Sequence, residues 1–538
     1  MSEQSSQARI AKTAGAKYIL AIDHGTSGCK TALAGLDGEI LGFEFEATPI
    51  QLLPGSGAEQ DPEDWWQALI KTCRRLVEKQ IVPVEDIVAM CCSSTYSSTV
   101  AVDAQGMHLA PCLTWLDARG AGYVQDLMRG LINIKGYSIF NILRFLSKTG
   151  GAPTLSGKDD IAHVLFWKHE CPQIYQAAHM FLGSKDYLNA RLTGKLAASQ
   201  DSMTLFWVTD NRNINEIKYD RGLIDKLQID AGKLPPIMSS VDVLGELLPK
   251  VASQIGLRSG VKVVVGSPDL QSATIGSGAV NDFQGHVYIG TSSWLLCHVP
   301  YKKTDMWHTL ASLPAAIPGR YFCANEQDLA GGCLTFLRDN LLYHQDPLNS
   351  RQAPQNAYQL FDQIVEKVPA GSNKIIFTPW LNGEKTPVDD HLLGGGFHNI
   401  SLDADRAQLI RAVYEGVAYN SRWVLKYVEK FIGREMQTLN IIGGGAQSDV
   451  WCQIFADVLD CRIKRVKDPL FANARGAAYI AAVALGYIEF SDIPELTEIE
   501  QVFSPEPENR KMYTELFEVF LQIHKYNKSI YHGLNRAK

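Results

Sequence analysis

Tyr18-Ile19-Leu20-Ala21-Ile22-Asp23-His24-Gly25-Thr26-Ser27-Gly28-Cys29-Lys30 is an apolar run of strand formers that ends on an acid, turns through Gly, Thr and Ser, and resumes at a base. A strand feeding such a loop is a natural phosphate cradle. Glycine lets the backbone approach an anion, and backbone N–H groups and hydroxyls donate to it. Gly25, Thr26, Ser27 and Lys30 supply those elements. Asp23 suits a Mg2+-bound water, because Mg2+ prefers oxygen ligands and keeps much of its hydration. Turn chemistry alone also reads the same residues as a plain tight hairpin.

Outward from this loop, residues 31–36 form a second apolar run, Asp37-Gly38 is a hairpin turn signal, and residues 39–45 make a third strand. The opening therefore predicts strand, loop, strand, turn, strand, antiparallel in character. A helix is expected to start at Asp61, with Pro62 in its first position and Glu63 and Asp64 in its first turn. Residues 86–93 read as a strand leading into a hydroxyl-rich loop, 93–99. Residues 120–260 read as mixed helices and loops. Residues 261–266 then restart the pattern as a buried strand. A further strand, 286–289, runs into Gly290-Thr291-Ser292-Ser293, and 294–299 returns. Two halves are implied, each with a Gly/Thr/Ser hairpin loop, although the match is too short to establish a repeat. A long amphipathic helix spans 404–432, a strand 439–442 precedes Gly443-Gly444-Gly445, and helices are expected over 472–484 and 509–532.

A chain of 538 residues exceeds one hydrophobic core. Its 51 basic and 58 acidic residues give a net charge of −7, which argues against nucleic-acid binding as the main function. The 11 cysteines show neither zinc-site spacing nor a disulfide framework, as expected of reduced thiols. Residues 1–16 are small and polar, without a signal-peptide core. No apolar run reaches the ~20 residues that span a bilayer. The expectation is a flexible tail on a soluble, cytoplasmic protein with no membrane partner.

Other segments carry chemistry with alternatives. Gly443-Gly444-Gly445 with Ser448 is either a flexible turn or a backbone surface for a base and ribose; no P-loop occurs in the chain. Asp269, after a strand and before a helix, is either an N-cap or a base that takes the proton of an attacking hydroxyl. Trp115-Leu116-Asp117-Ala118-Arg119 is either an ion pair under a loop or a polyol-recognition element.

Taken together, these segments resemble the FGGY family of carbohydrate kinases, closest to its xylulokinase branch. The resemblance covers roughly residues 17–490. It is carried by the opening loop, Glu59-Gln60-Asp61-Pro62-Glu63-Asp64-Trp65-Trp66, Leu113-Thr114-Trp115-Leu116-Asp117-Ala118-Arg119, Ser184-Lys185-Asp186-Tyr187-Leu188, Gly290-Thr291-Ser292, Gly383-Glu384-Lys385-Thr386-Pro387, and Ile442-Gly443-Gly444-Gly445-Ala446-Gln447-Ser448 with Trp451. It implies two actin-like, RNase H-like α/β domains with an ATP cleft between them, at 17–275 and 276–500, followed by a helical extension at 501–538. It implies ATP and Mg2+ as cofactors and transfer of the γ-phosphoryl group to a sugar or polyol, a ketopentose first. Asp269 looks like the catalytic base, Asp23 the metal-linked acid, Thr26 and Thr291 phosphate-loop hydroxyls with Gly290 beside them, Gly444 and Gly445 the adenosine platform, and Asp117 part of the sugar pocket. Analogy with sibling folds adds a homodimer.

Three positions depart from the family pattern. His24 stands where Leu, Gln or Gly is usual. Thr95-Tyr96-Ser97 replaces the Gln-Met-His that touches the acceptor in xylulokinases. Leu270 replaces the Asn or Gln that follows the base. Donor chemistry looks intact while acceptor identity is open. A non-catalytic sugar or nucleotide sensor, or an actin-like ATPase, are the competing classes.

Overall fold

The protein is described by a computed structural model covering residues 15–536. The expected N-terminal tail lies, apart from its last two residues, outside the described residues, as do the final two of the C-terminal extension.

The opening folds as its sequence pattern predicts. β1 (Tyr18–Gly25), β2 (Gly28–Gly35) and β3 (Ile40–Ala47) form an antiparallel meander. β4 (Ile87–Ser94) then pairs parallel to the other side of β1. β6 (Lys262–Val264) continues parallel, and β5 (Val243–Glu246) closes the edge antiparallel, giving the order β5-β6-β4-β1-β2-β3. Helix α1 (Pro62–Glu78) covers one face. Asp61 caps it, accepting from the Glu63 N–H at 2.8 Å, with Pro62 where a missing N–H costs nothing. Its Trp65, Leu69, Cys73 and Leu76 are fully buried.

The second half repeats the scheme. β7 (Gly285–Ile289), β8 (Ser293–Val299), β9 (Thr304–Asp305), β10 (Leu310–Pro314), β11 (Tyr321–Ala324), β12 (Thr438–Ile442), β13 (Arg462–Val466) and β14 (Ile499–Phe503) pair in the order β9-β10-β11-β8-β7-β12-β13-β14. β7 and β8 are antiparallel, β12 and β13 run parallel to β7, and β14 closes the edge antiparallel. The central order and the strand senses match the first sheet. The internal repeat that three residues of sequence could not establish is thus present in the topology. Residues 120–260, hard to parse from periodicity, supply helices such as Asp160–Glu170 and α2 (Ser184–Thr193), plus one strand, Met180–Gly183, at the edge of a separate five-stranded sheet.

The two halves meet where α3 (Asp269–Gly276) crosses α6 (Ala472–Ala484), the intervening long helices being α4 (Arg406–Ile432) and α5 (Asp449–Leu459). Close approach dictates the residues. A Cβ on Gly276 would collide with the Ala472 carbonyl, and one on Gly476 with the Ser272 carbonyl. The alanines of α6 pack onto Ile19, Ala21, Ala89 and Val264 of the first sheet. Among the described residues, no helix is long and apolar enough to cross a membrane.

Candidate active site between the two halves

Each half presents one hairpin loop. β1 and β2 pair down to Gly25↔Gly28, so Thr26 and Ser27 form the turn, and their N–H groups meet no acceptor among the described residues. Gln60 Nε2 donates to the Thr26 carbonyl at 2.9 Å, and Trp115 Nε1 donates to the Thr26 hydroxyl at 2.9 Å. In the second half β7 and β8 pair down to Ile289↔Ser293. The carbonyls of Gly290 and Thr291 accept from Gly331 and Ala330, each at 2.8 Å. That anchors the loop from behind, while the Thr291 and Ser292 N–H groups have no acceptor among the described residues. Four free N–H groups on two loops suit the oxygens of a phosphate chain.

The glycine run lies beside the second loop because β12 pairs with β7, Tyr288 opposite Ile442. Gly443 sits at φ 91°, and a Cβ there would lie 2.5 Å from the Ile289 carbonyl oxygen. A Cβ on Gly445 would lie 2.5 Å from Ile289 Cγ2, whereas Gly444 is exposed. Both reasons exclude side chains at Gly443. Ser448 corrects its expected role. It caps α5 by accepting from the Trp451 N–H at 3.2 Å and donates to Asp362 at 2.7 Å, so its hydroxyl is engaged in folding.

Asp23, at the end of β1, faces the second half. Asn473, on the first turn of α6, donates to Asp23 Oδ1 at 3.3 Å. Lys30 Nζ stands 3.6 Å from Asp23 Oδ2 and 3.4 Å from the Leu470 carbonyl. The described residues hold no cluster of three His, Cys, Asp or Glu side chains arranged for a metal. A single carboxylate with weak neighbours fits a hydrated Mg2+ carried by phosphate oxygens, which needs one or two protein carboxylates at most.

Asp269 is the first residue of α3, and Pro268 takes the N-cap place without a side-chain cap, so the N-cap alternative is not realised. The stretch before it is tied down by buried polar groups. Lys185 and Asn189 of α2 donate to the Val265 carbonyl at 3.1 and 2.7 Å. Ser267 donates to Asp201, which also accepts from Ser240 at 3.0 Å. The Asp269 carboxylate accepts from the Leu270 N–H at 2.8 Å. Desolvation by the surrounding walls, with the charges of Asp23 and Glu326 adding to it, outweighs that bond and pushes the carboxyl up to about 7. A carboxylate tuned to near neutrality suits a general base.

A small polar pocket opens next to Asp269, lined by Thr95, Tyr96, Ser97, Asp160, Lys185 and Pro268. Thr95 shares a hydrogen bond with Ser98 at 3.0 Å, Ser97 donates to the Lys158 carbonyl at 2.7 Å, and the Tyr96 hydroxyl is buried beside Gln271. Leu270 stands partly exposed after Asp269 with no polar side-chain group to offer.

Trp115 is tied to the Thr26 loop, and Lys385 of the second half lies 5.7 Å from its ring centre. Asp117 is a correction. It is fully buried and accepts from the Ala58 N–H at 2.9 Å, the Arg119 N–H at 3.0 Å and the Arg119 guanidinium. No lone pair is left for a sugar, so the ion-pair alternative holds. His24 packs its ring on Trp65 at 4.8 Å inside the first core, and burial lowers its pKa to about 4. It is a neutral core side chain.

Sequence reading missed Asp201, Asn473, Glu326 and Tyr288. None stands in a motif; Asp201, Asn473 and Glu326 contact residues remote in the chain, and Tyr288 packs between nearby Gly290 and remote Gly443.

Two halves of one strand order, each offering a loop with unsatisfied N–H groups and joined by a close helix crossing, define a bilobal phosphate-handling fold. Residues 18–276 match the model of the FGGY family of carbohydrate kinases, N-terminal domain, and 285–485 that of the C-terminal domain; the chain belongs to this family and is a carbohydrate kinase. It is similar to the xylulose kinase of Bacillus subtilis (strain 168), 26% identical over 518 residues, covering 96% of this chain and 98% of that protein. It is also similar to the autoinducer-2 kinase of Enterobacter sp. (strain 638), 27% identical over 514 residues, covering 92% of each chain. The crystal structure of gluconate kinase from Lactobacillus acidophilus superposes with a TM-score of 0.84 at 24% identity, covering 96% of this chain and 100% of that one.

Proposed function

We propose that this kinase transfers the γ-phosphoryl group of ATP to a hydroxyl of a sugar or polyol, a ketopentose first. The observation that carries the reading is Asp269, held at the start of α3, near Asp23, with a carboxyl poised near 7. The free N–H groups around Thr26 and Thr291 are assigned to the phosphates, and Gly443, Gly444 and Gly445 to the adenosine side. Asp23 would hold Mg2+, which when bound would offset charge on the phosphate oxygens. The acceptor lies against Thr95, Tyr96 and Trp115. Its hydroxyl gives its proton to Asp269 as its oxygen bonds to the γ-phosphorus, and the bond from that phosphorus to the bridging oxygen breaks to leave ADP. Closure of the halves excludes water.

The relatives carry three different acceptor names, and Thr95-Tyr96-Ser97 and Leu270 line the place where acceptors differ. The test is ADP release across pentuloses, hexuloses, heptuloses, polyols and aldonates, with the product identified. Saturable turnover with a ketopentose supports the reading. Turnover only with another class moves the acceptor assignment. Nucleotide binding without transfer to any acceptor favours a sensor.

A further inference from the structure

Tyr288 is the residue at which the second hairpin, the glycine run and the cleft carboxylates meet. Its ring stacks on Trp294 across the β7–β8 hairpin, centroids 3.9 Å apart and planes 7° from parallel. Trp294 is in turn fixed by donating to His286 Nε2 at 3.2 Å. A Cβ on Gly290 would run into the Tyr288 hydroxyl, and one on Gly443 would lie 3.0 Å from its Cε2. The phenol therefore occupies a slot between the backbones of two glycines, its tip over Gly290. Both glycines are accounted for by this approach.

The ring is held without using the hydroxyl. That hydroxyl has no hydrogen-bond partner among the described residues, and it is not among the polar atoms sealed from solvent. A tyrosine held this tightly normally finds a partner for its O–H. Burial first, then the charges of Asp23 and Asp269, hold its pKa above the ordinary value, so it stays protonated. The result is a neutral donor on the cleft side of a loop whose Thr291 and Ser292 N–H groups also lack acceptors. Asp23 and Asp269 are close enough for their charges to act on this hydroxyl, so the missing acceptor is one that a metal-linked acid and a base would both address. A phosphoryl oxygen meets that description.

We propose that the Tyr288 hydroxyl donates to the terminal phosphoryl group of the bound nucleotide, the group being transferred, and steadies its charge during transfer. The hydroxyl keeps its proton throughout. This rests on the kinase reading above.

The test is Tyr288→Phe, which retains the ring and its stack on Trp294, with Tyr288→Leu as the packing control. Two readouts are taken: steady-state kinetics with the preferred acceptor, and calorimetric affinity for ADP and for a non-hydrolysable ATP analogue. Loss of one preorganised donor to a group that gains charge lowers kcat by roughly a hundredfold to a thousandfold. Tyr288→Phe is expected to lose that much kcat and to bind the triphosphate analogue several-fold more weakly, with the KM for the acceptor, ADP affinity and Tm unchanged. Wild-type kcat and analogue affinity in Tyr288→Phe, with losses only in Tyr288→Leu, would overturn the proposal and leave Tyr288 a packing residue. If the wild-type protein transfers phosphate to no acceptor, the kinase reading fails on that result alone. The affinity difference between analogue and ADP then still decides whether Tyr288 senses the terminal phosphoryl group.

Discussion

Trp115 Nε1 donates to Thr26 Oγ1 at 2.9 Å, joining the residue proposed to face the acceptor to the loop proposed to hold the phosphates. The two proposed sites are therefore linked by a direct hydrogen bond. Trp115→Phe keeps the ring and removes the donor. A single hydrogen bond is worth about 1 kcal/mol, or roughly fivefold. The KM for ATP and the KM for the acceptor are both expected to rise by about that factor, measured by initial rates over a grid of both substrates. A change confined to the acceptor would mean that the bond does not couple the sites.

Asp269 sets two opposite pH dependences. As a base it must be ionised, so kcat is expected to rise with pH through about 7 and to flatten above it. For stability the sign reverses. The folded-state pKa is raised above the unfolded value, so its contribution is fully present below about 4 and is lost as pH rises through about 7. Asp269→Asn should then melt higher than wild type at pH 8 and show no such gain at pH 4, by thermal denaturation. Equal melting temperatures at pH 8 would contradict the buried-carboxylate account.

Asp117, fully buried, pairs with the partly exposed Arg119, which also reaches Glu59. Removing its carboxylate leaves the buried Ala58 N–H without its acceptor, which costs about 1–3 kcal/mol. Asp117→Ala should unfold at lower urea concentration, while the order of preference among acceptors is retained. A stable variant with altered acceptor preference would restore Asp117 to the sugar pocket.

Gly476 and Gly276 set the spacing of the α3–α6 crossing, and α3 carries Asp269. Gly476→Val drives a side chain into the Ser272 carbonyl. Overpacking costs about 1–3 kcal/mol, and a collision with backbone belongs at the upper end. Denaturation should show that loss, and kcat should fall with it because the base is displaced. Unchanged kcat in a destabilised variant would separate the crossing from the placement of Asp269.

Local features were legible in the sequence. The Asp37-Gly38 turn, the Asp61 cap and both hairpin loops are written in consecutive residues, and each folds as its chemistry directs. Asp269 was legible as a candidate because strand, acid and helix follow one another. Asp117 was ambiguous for a physical reason: an acid two residues before an arginine fits both a sugar contact and an ion pair, and only burial distinguishes them. Ser448 was ambiguous because a cap and a ligand contact can use the same hydroxyl. Asp201, Asn473 and Tyr288 could not be found locally. Asp201 acts through Ser240 and Ser267, Asn473 reaches Asp23 from the other half, and Tyr288 owes its position to glycines on two separate strands' ends.

The central claim is that Asp269 takes the proton of the attacking hydroxyl between the two hairpin loops. Its most direct test is product formation by Asp269→Asn, measured together with nucleotide affinity. The account predicts that acceptor phosphorylation is abolished, while ADP and ATP-analogue binding stay within about twofold of wild type. Undiminished phosphorylation by Asp269→Asn would contradict it.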